Sequence, residues 1–394
     1  MALRYAVASG NWSAVGTWNG GASVPGNGDT VVANGYTVTI DQNVTIGGAN
    51  NPSVNAGSFV TGQWYSITAV GTTSFTGIGA SANTVGIIFQ ATGAGSGTGV
   101  ATALATLTTA AAGSAVAGGG FSITTAYTLA ADIRAGTTTC VTLTGTGSPT
   151  WTPLNIYGGN TSNAYGVNVS ATSGTLSIAS CFFQVGNGNP ACCIYNSSSA
   201  TISISSSTIN ASNFLGVYGP SVYNASTGTI SISGSTVTGG TGGNGSAIQN
   251  ASTGTISISG STVTGGSVGT AYAINNSSTG IISISGSTLT AGVTSSPCIY
   301  SITAGTFNIT TSTINASSGS TAIFLSSASA TVTIQGSQYD HVSGFAAVFC
   351  QKYKIGTTPS LMQYRKALDG SSTYLTLYTS DFSYFGNPAA SDVR

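Results

Sequence analysis

The chain has 394 residues but only 7 Lys and Arg, 7 acidic residues (all aspartate) and one histidine, so 4% of it is charged and the formal net charge is zero; an ordinary soluble domain is roughly 25% charged. So few acids, bases and metal ligands leave little for acid–base or metal chemistry, and without an excess of positive charge there is no footprint for nucleic acid or an anionic membrane surface. The 41% hydrophobic content and a mean hydropathy of +0.28 argue for a folded core rather than disorder, and no apolar run reaches the roughly 18 residues of a membrane span.

The N-terminal residues Met1 to Tyr5 hold no apolar stretch long enough for a secretory signal, so the chain is expected to assemble in the cell that makes it. Residues 1–56 read as a cap with the first strands. Asn11-Trp12-Ser13, Gly16-Thr17-Trp18 and Val24-Pro25-Gly26-Asn27-Gly28-Asp29, followed by the alternating Tyr36-Thr37-Val38-Thr39-Ile40-Asp41, resemble the opening cap of secreted and viral β-helix proteins, including G8-type segments. The resemblance implies that Trp12 and Trp18 cover the first rung, and it implies no catalytic residue. Asp29, in Gly-Asp-Thr, reads as a turn residue.

Residues 57–101 form a different unit. Trp64, Tyr65, Ile67, Val70, Phe75, Ile78 and Phe89 alternate with turn residues, which predicts a compact β insertion. Tyr65-Ser66-Ile67, Gly71-Thr72-Thr73-Ser74-Phe75-Thr76, Ile78-Gly79-Ala80 and Gly95-Ser96-Gly97-Thr98-Gly99 resemble, in that order, a small module of structural proteins of marine and cyanobacterial tailed phages. It carries no known chemistry; it implies a virion context.

From about residue 102 to 350 the chain repeats. Ala200-Thr-Ile-Ser-Ile, Gly228-Thr-Ile-Ser-Ile, Gly254-Thr-Ile-Ser-Ile and Gly280-Ile-Ile-Ser-Ile recur and then drift into Gly305-Thr-Phe-Asn-Ile and Ala330-Thr-Val-Thr-Ile. Each unit of 24 to 28 residues holds three short runs of period-two alternation broken by Ser, Thr and Gly, which predicts three strands. Ile194, Val222, Ile248, Ile274, Ile299, Ile323 and Val348 form a branched column, preceded by the small residues Cys193, Ser221, Ala247, Ala273, Cys298, Ala322 and Ala347. Columns of like residues are what stacked coils demand, because each rung lies on the last at about 4.8 Å. The fold class is therefore all-β, a parallel β-helix of three strands per coil, right-handed by the general crossover rule. Asn196, Asn224, Asn250 and Asn276 form a further column in which stacked amides can bond along the axis and satisfy turn backbone.

Residues 351–394 lack the repeat and concentrate charge beside Tyr353, Tyr364, Tyr374, Tyr378, Phe382, Tyr384 and Phe385. A closing cap or subunit interface accounts for such a composition; an aromatic platform for a host-surface glycan, built on Tyr364, Tyr374, Tyr378 and Tyr384, is the rival reading. The second run of each unit places Thr236 and Thr238, then Thr262 and Thr264, outward from Val237 and Val263. This Thr-x-Thr array resembles the ice-binding face of antifreeze β-helices, although Ser and Thr are also what remains for soluble strands when charge is avoided.

Enzymatic chemistry lacks its residues. Residues 135–339 contain no Lys, Arg, Asp, Glu or His, whereas polysaccharide-cleaving β-helices need paired carboxylates or Ca²⁺ ligands; Asp340 and His341 are neighbours on alternate sides of a strand. Cys193 and Cys298 stand in one column several rungs apart, beyond disulfide reach. The expectation is a non-enzymatic virion surface protein of a tailed phage, without cofactor or metal: a tail fibre, spike or head appendage, homotrimeric, joined to other virion proteins through its N-terminal region. A glycan- or ice-binding module is the alternative, and a polysaccharide depolymerase a more remote one.

Overall fold

A computed structural model describes residues 2–46, 53–108, 120–123, 129–136, 139–144, 148–159, 165–171, 173–184, 192–211, 219–241, 245–293, 296–315, 322–325, 331–335, 338–339, 353–355, 361–365 and 374–378. Among them the chain is all-β, a parallel β-helix with two three-residue 3₁₀ turns and no α-helix. One full coil runs through Ile248–Asn250, Ile256–Ser259 and Thr262–Thr264. Each strand pairs in parallel with its equivalent in the next coil, as in Ile230↔Ile256↔Ile282 and Val237↔Val263↔Leu289. Equivalent residues lie 28, 26 or 25 positions apart, inside the period read from the sequence. Strands of the third run form an 11-stranded sheet, a rod of about 50 Å at the parallel strand spacing.

The period-two alternation drives this arrangement. Ile202, Ile230, Ile256 and Ile282 point inward, as do Ile204, Ile232, Ile258 and Ile284, then Ile209, Val237, Val263 and Leu289, and on the third face Ile194, Val222, Ile248 and Ile274. All are at most 1% exposed, and each contributes about 1.5–3 kcal/mol of gross burial energy. The intervening Ser and Thr face outward.

Coils already stack from the N-terminus: Leu3–Tyr5 pairs with Thr30–Val32, and Gly10–Asn11 with Thr37–Ile40. Trp12 and Trp18 are buried against each other edge to face at 5.0 Å, and Trp12 reaches Phe121 at 6.4 Å. Trp18 Nε1 donates to the Trp12 carbonyl, so the pair closes the apolar interior at this end. The chain leaves the rod after Val44–Ile46 and rejoins it at Leu107–Thr108, which pairs with Val31 and Val32. Between these points lies a four-stranded antiparallel sheet in the order Ser53–Asn55, Val100–Leu104, Trp64–Ala69, Ile88–Gln90. It has its own core of Phe59, Tyr65, Ile67, Phe75 and Phe89.

The corner between first and second runs changes character along the rod. Low in the stack, the strand Thr150–Gly159 passes through it unbroken, pairing with Thr175–Ala179 by its first half and Phe182–Gln184 by its second. Above it, one left-handed residue per coil sharpens the bend: Ser180, Ser206, Gly234, Gly260, Gly286 and Thr311, at φ 46 to 54°. A side chain in this conformation costs roughly 1–2 kcal/mol, which explains glycine in the middle coils.

The residue after each bend starts a ladder that sequence reading missed. Ser207, Ser235, Ser261, Ser287 and Ser312 are 3% exposed. Each hydroxyl donates to the carbonyl two residues earlier, at 2.7–2.8 Å. Each also accepts from the backbone N–H of its equivalent one coil below, Cys181 included, at 3.1–3.2 Å.

The asparagine ladder stands at another corner. Asn196, Asn224, Asn250 and Asn276 are fully buried, and each Nδ2 donates to the next Oδ1, at 3.0, 3.0 and 3.1 Å. The second amide hydrogen is used locally: Asn224 donates to the Gly228 carbonyl and Asn250 to the Gly254 carbonyl. This ladder and the backbone beside it set the glycine that opens each repeat: at Gly228, Gly254 and Gly280 a Cβ would meet the carbonyl oxygen of Ala200, Gly228 or Gly254 at 2.3–2.4 Å. A Cβ on Gly228, Gly254, Gly280 or Gly305 would come within 2.2–2.5 Å of the Nδ2 of Asn196, Asn224, Asn250 or Asn276. Ala200 stands at the equivalent place where the coil below carries Val169 instead.

Replacing Asn250 by Ala strips partners from Asn224 Nδ2, Asn276 Oδ1 and the Gly254 carbonyl, and each buried group left unpaired costs about 1–3 kcal/mol. Asn250→Ala should therefore lower unfolding stability by about 3 kcal/mol or more, with an unchanged denaturant slope, whereas Gln249→Ala on the outer face should cost under about 1 kcal/mol; chemical denaturation monitored by circular dichroism reads both.

Candidate binding faces of the rod

Three outer faces follow from the three runs. On the first, outward positions are mainly serine, as in Ser203↔Ser231↔Ser257↔Ser283. On the second, Thr236, Thr262 and Thr288 are in register and exposed, and Thr238, Thr264 and Thr290 form a parallel half-buried rank. The two ranks make a grid of about 4.8 Å along the rod and about 6.6 Å across it, set by strand spacing and rise. The threonines singled out in the sequence thus stand together on one flat face.

The third face is aromatic. Its outward column runs Asn168, Tyr195, Tyr223, Gln249, Asn275, Tyr300, Phe324. Where the column holds Asn168 or Asn275, the tyrosine three residues earlier supplies the ring for the stack: Tyr165 lies on Tyr195 at 4.4 Å and 9°, and Tyr272 on Tyr300 at 4.5 Å and 6°. Phe324 continues the second stack at 5.4 Å and 6°, while Tyr223 closes the first tilted by 60°. Burial, and then the proximity of Cys192, Tyr195 and Tyr223, pushes the Tyr165 phenol up to about 12. Burial raises Tyr223 and Tyr272 as well, with Tyr195 and Cys192 adding to the first and Tyr300 to the second. Tyr165, Tyr223 and Tyr272 thus stay neutral across the physiological range. The signal was present in the sequence as Tyr165-Gly-Val-Asn168 and Tyr272-Ala-Ile-Asn275, and as an aromatic directly after the branched residue at five of the seven column positions.

The C-terminal tyrosines are placed only in part. Leu361–Arg365 and Tyr374–Tyr378 form an antiparallel pair with Tyr364 opposite Leu375, Tyr374 opposite Arg365 and Tyr378 opposite Leu361. Tyr384, Asp340 and His341 lie outside the described residues.

The carboxylates whose side chains are described hold the cap. Asp29 accepts from the N–H groups of Ala2 at 2.8 Å and Gly26 at 3.0 Å, with Arg4 at 3.9 Å. Asp41 accepts from the Ser13 N–H and hydroxyl. Among the described residues no three His, Cys, Asp or Glu side chains gather as a metal site requires, and no helix is long and apolar enough to cross a membrane. Cys140, Cys181, Cys192, Cys193 and Cys298 are buried free thiols. Burial pushes Cys140 up to about 12 and Cys181 up to about 11, and raises Cys192 and Cys298 further. Such thiols are poor nucleophiles and fill space as small hydrophobes.

No family model matches the chain, and no curated protein or solved structure is similar to it. The likeness of residues 1–56 and 57–101 to phage and β-helix segments rests on the motifs quoted above.

The raised thiols and phenols fix the sign of a pH effect. In the unfolded chain a thiol ionises near 8.5, so the stability these groups contribute is fully present below about 8.5 and is lost progressively as pH rises toward 12. Denaturation midpoints should fall between pH 9 and 11, and a thiol reagent at pH 8 should label these five cysteines only after unfolding; rapid labelling of any of them in the native state contradicts the assignment.

Proposed function

We propose that the chain is a non-catalytic structural rod on the surface of a tailed-phage particle, a tail fibre, spike or head appendage. On this reading it is a homotrimer anchored through its N-terminal region to other virion proteins and serving host-surface attachment. The observation that carries the proposal is the union of a phage-like module at residues 57–101 with a rod whose 205 residues from 135 to 339 hold no charged side chain or histidine. Side chains between those limits are spent on making one coil lie on the next, and the thiols among them are buried. That suits mechanical display rather than turnover.

In an infected culture the chain should co-sediment with assembled particles through a density gradient, and gold-labelled antibody should mark their surface. The purified protein should leave host polysaccharide intact. A chain found only in the soluble fraction, or one that shortens the polysaccharide, contradicts the proposal.

A second reading is favoured by one observation, the in-register grid of exposed Thr236, Thr262 and Thr288: the second face binds ice. On that reading the wild-type protein shapes ice crystals and the Thr236→Ala, Thr262→Ala double variant does not. Unshaped crystals with the wild-type protein remove it.

A further inference from the structure

The third face differs from the other two in a way that bears on what covers it. This face carries six rings in two stacks, Tyr165, Tyr195 and Tyr223 below, Tyr272, Tyr300 and Phe324 above, separated by the coil of Gln249, with Asn275 standing beside Tyr272. All eight side chains are half-buried within one chain. Within the near-parallel pairs, at 6° to 9°, the rings cover one another's faces. What remains outward is ring edges, phenol hydroxyls and amides. A sugar stacks on an open aromatic face, so the arrangement is poorly suited to a glycan. Protein interfaces, by contrast, are enriched in Tyr and Phe and depleted of charge at their centre, and edge-to-face packing is a preferred aromatic contact.

Charge selects the partner. A strongly charged protein would lose hydration of its own groups against a face with no counter-charge, whereas a second copy brings an equally neutral surface with matching hydroxyls and amides. The aromatic part of the face spans seven coils, from the strand Val167–Val169 to Ile323–Leu325, about 30 Å along the rod at the strand spacing.

We infer that the aromatic face of the third run is a subunit interface, packed against another copy of this chain. The inference rests on the oligomeric rod proposed above and names the surface that builds it. The serine and threonine faces are then left to solvent, and the single ring-free coil at Gln249 fixes axial register between copies, since a shift of one coil sets a ring against its amide.

The test is native mass by light scattering behind a sizing column, over a hundredfold concentration range. The wild-type chain should give a stable multiple of 38.7 kDa, three for the trimer. Tyr195→Glu with Tyr300→Glu should raise the concentration of half-dissociation at least tenfold, whereas Thr236→Glu with Thr288→Glu, two coils apart on the second face, should leave it unchanged; circular dichroism and thermal midpoints report whether each variant folds. Gln249→Cys is an independent variant for the case in which the tyrosine pair does not fold. It should form an intermolecular disulfide on oxidation, and Thr262→Cys should not. A monomeric wild-type protein overturns the inference, as does dissociation caused by the threonine variant alone. Unchanged mass of the tyrosine variant with lost retention on immobilised dextran also overturns it and assigns the face to a neutral glycan. Co-sedimentation with particles is read separately, so the interface can fail while the virion assignment stands.

Discussion

Each coil of this protein lies directly on its predecessor, so every side chain meets its own equivalents first, at the strand spacing. Two like charges stacked at about 4.8 Å repel by about 3.5 kcal/mol at an effective dielectric constant of 20, and a column of them compounds the cost. The residues that survive the constraint are self-complementary. A carboxamide has a donor and an acceptor, so it can bond to a copy of itself above and below, as Asn196 to Asn276 do. A serine hydroxyl relays one bond up and one sideways. Branched aliphatics nest, and aromatic rings stack. The absence of charge between residues 135 and 339 is thus a consequence of stacking like upon like.

The same constraint made most of the fold legible. Period-two alternation gave the strands, a recurring Thr-Ile-Ser-Ile gave the coil, and the asparagine column could be assigned because an amide repeated at the coil period has an evident partner. The inner serine ladder was hidden because serine is common on every surface of this chain; only its position beside the left-handed bend separates Ser235 from Ser233 or Ser231. The glycine before each Thr-Ile-Ser-Ile reads as a turn residue, yet at Gly254 the requirement comes from the coil below, from the Gly228 carbonyl oxygen and the Asn224 Nδ2 together, 26 and 30 residues away in sequence. The aromatic face escaped for a related reason: Tyr165 and Tyr272 stand in a different column from Tyr195 and Tyr300, and only the geometry brings them into the same stacks.

Function is written on the outside, where the stacking constraint still holds but burial no longer selects the residue. There the three faces differ: serine, threonine and aromatic. The first two are polar and chemically quiet, and the thiols among the described residues are buried, with burial raising Cys140, Cys181, Cys192 and Cys298. A rod of this kind suits presentation and assembly, and its polar interior ladders supply stiffness without electrostatic strain.

The measurement that tests the central claim most directly is the hydrogen exchange of the asparagine side chains, followed by NMR on asparagine-labelled protein. If self-complementary stacking holds the rod, the carboxamide protons of Asn196, Asn224, Asn250 and Asn276 persist in D₂O on the timescale of the most protected backbone amides, while those of exposed asparagines vanish at once. Carboxamide signals from these four that exchange as fast as the exposed ones would contradict the account.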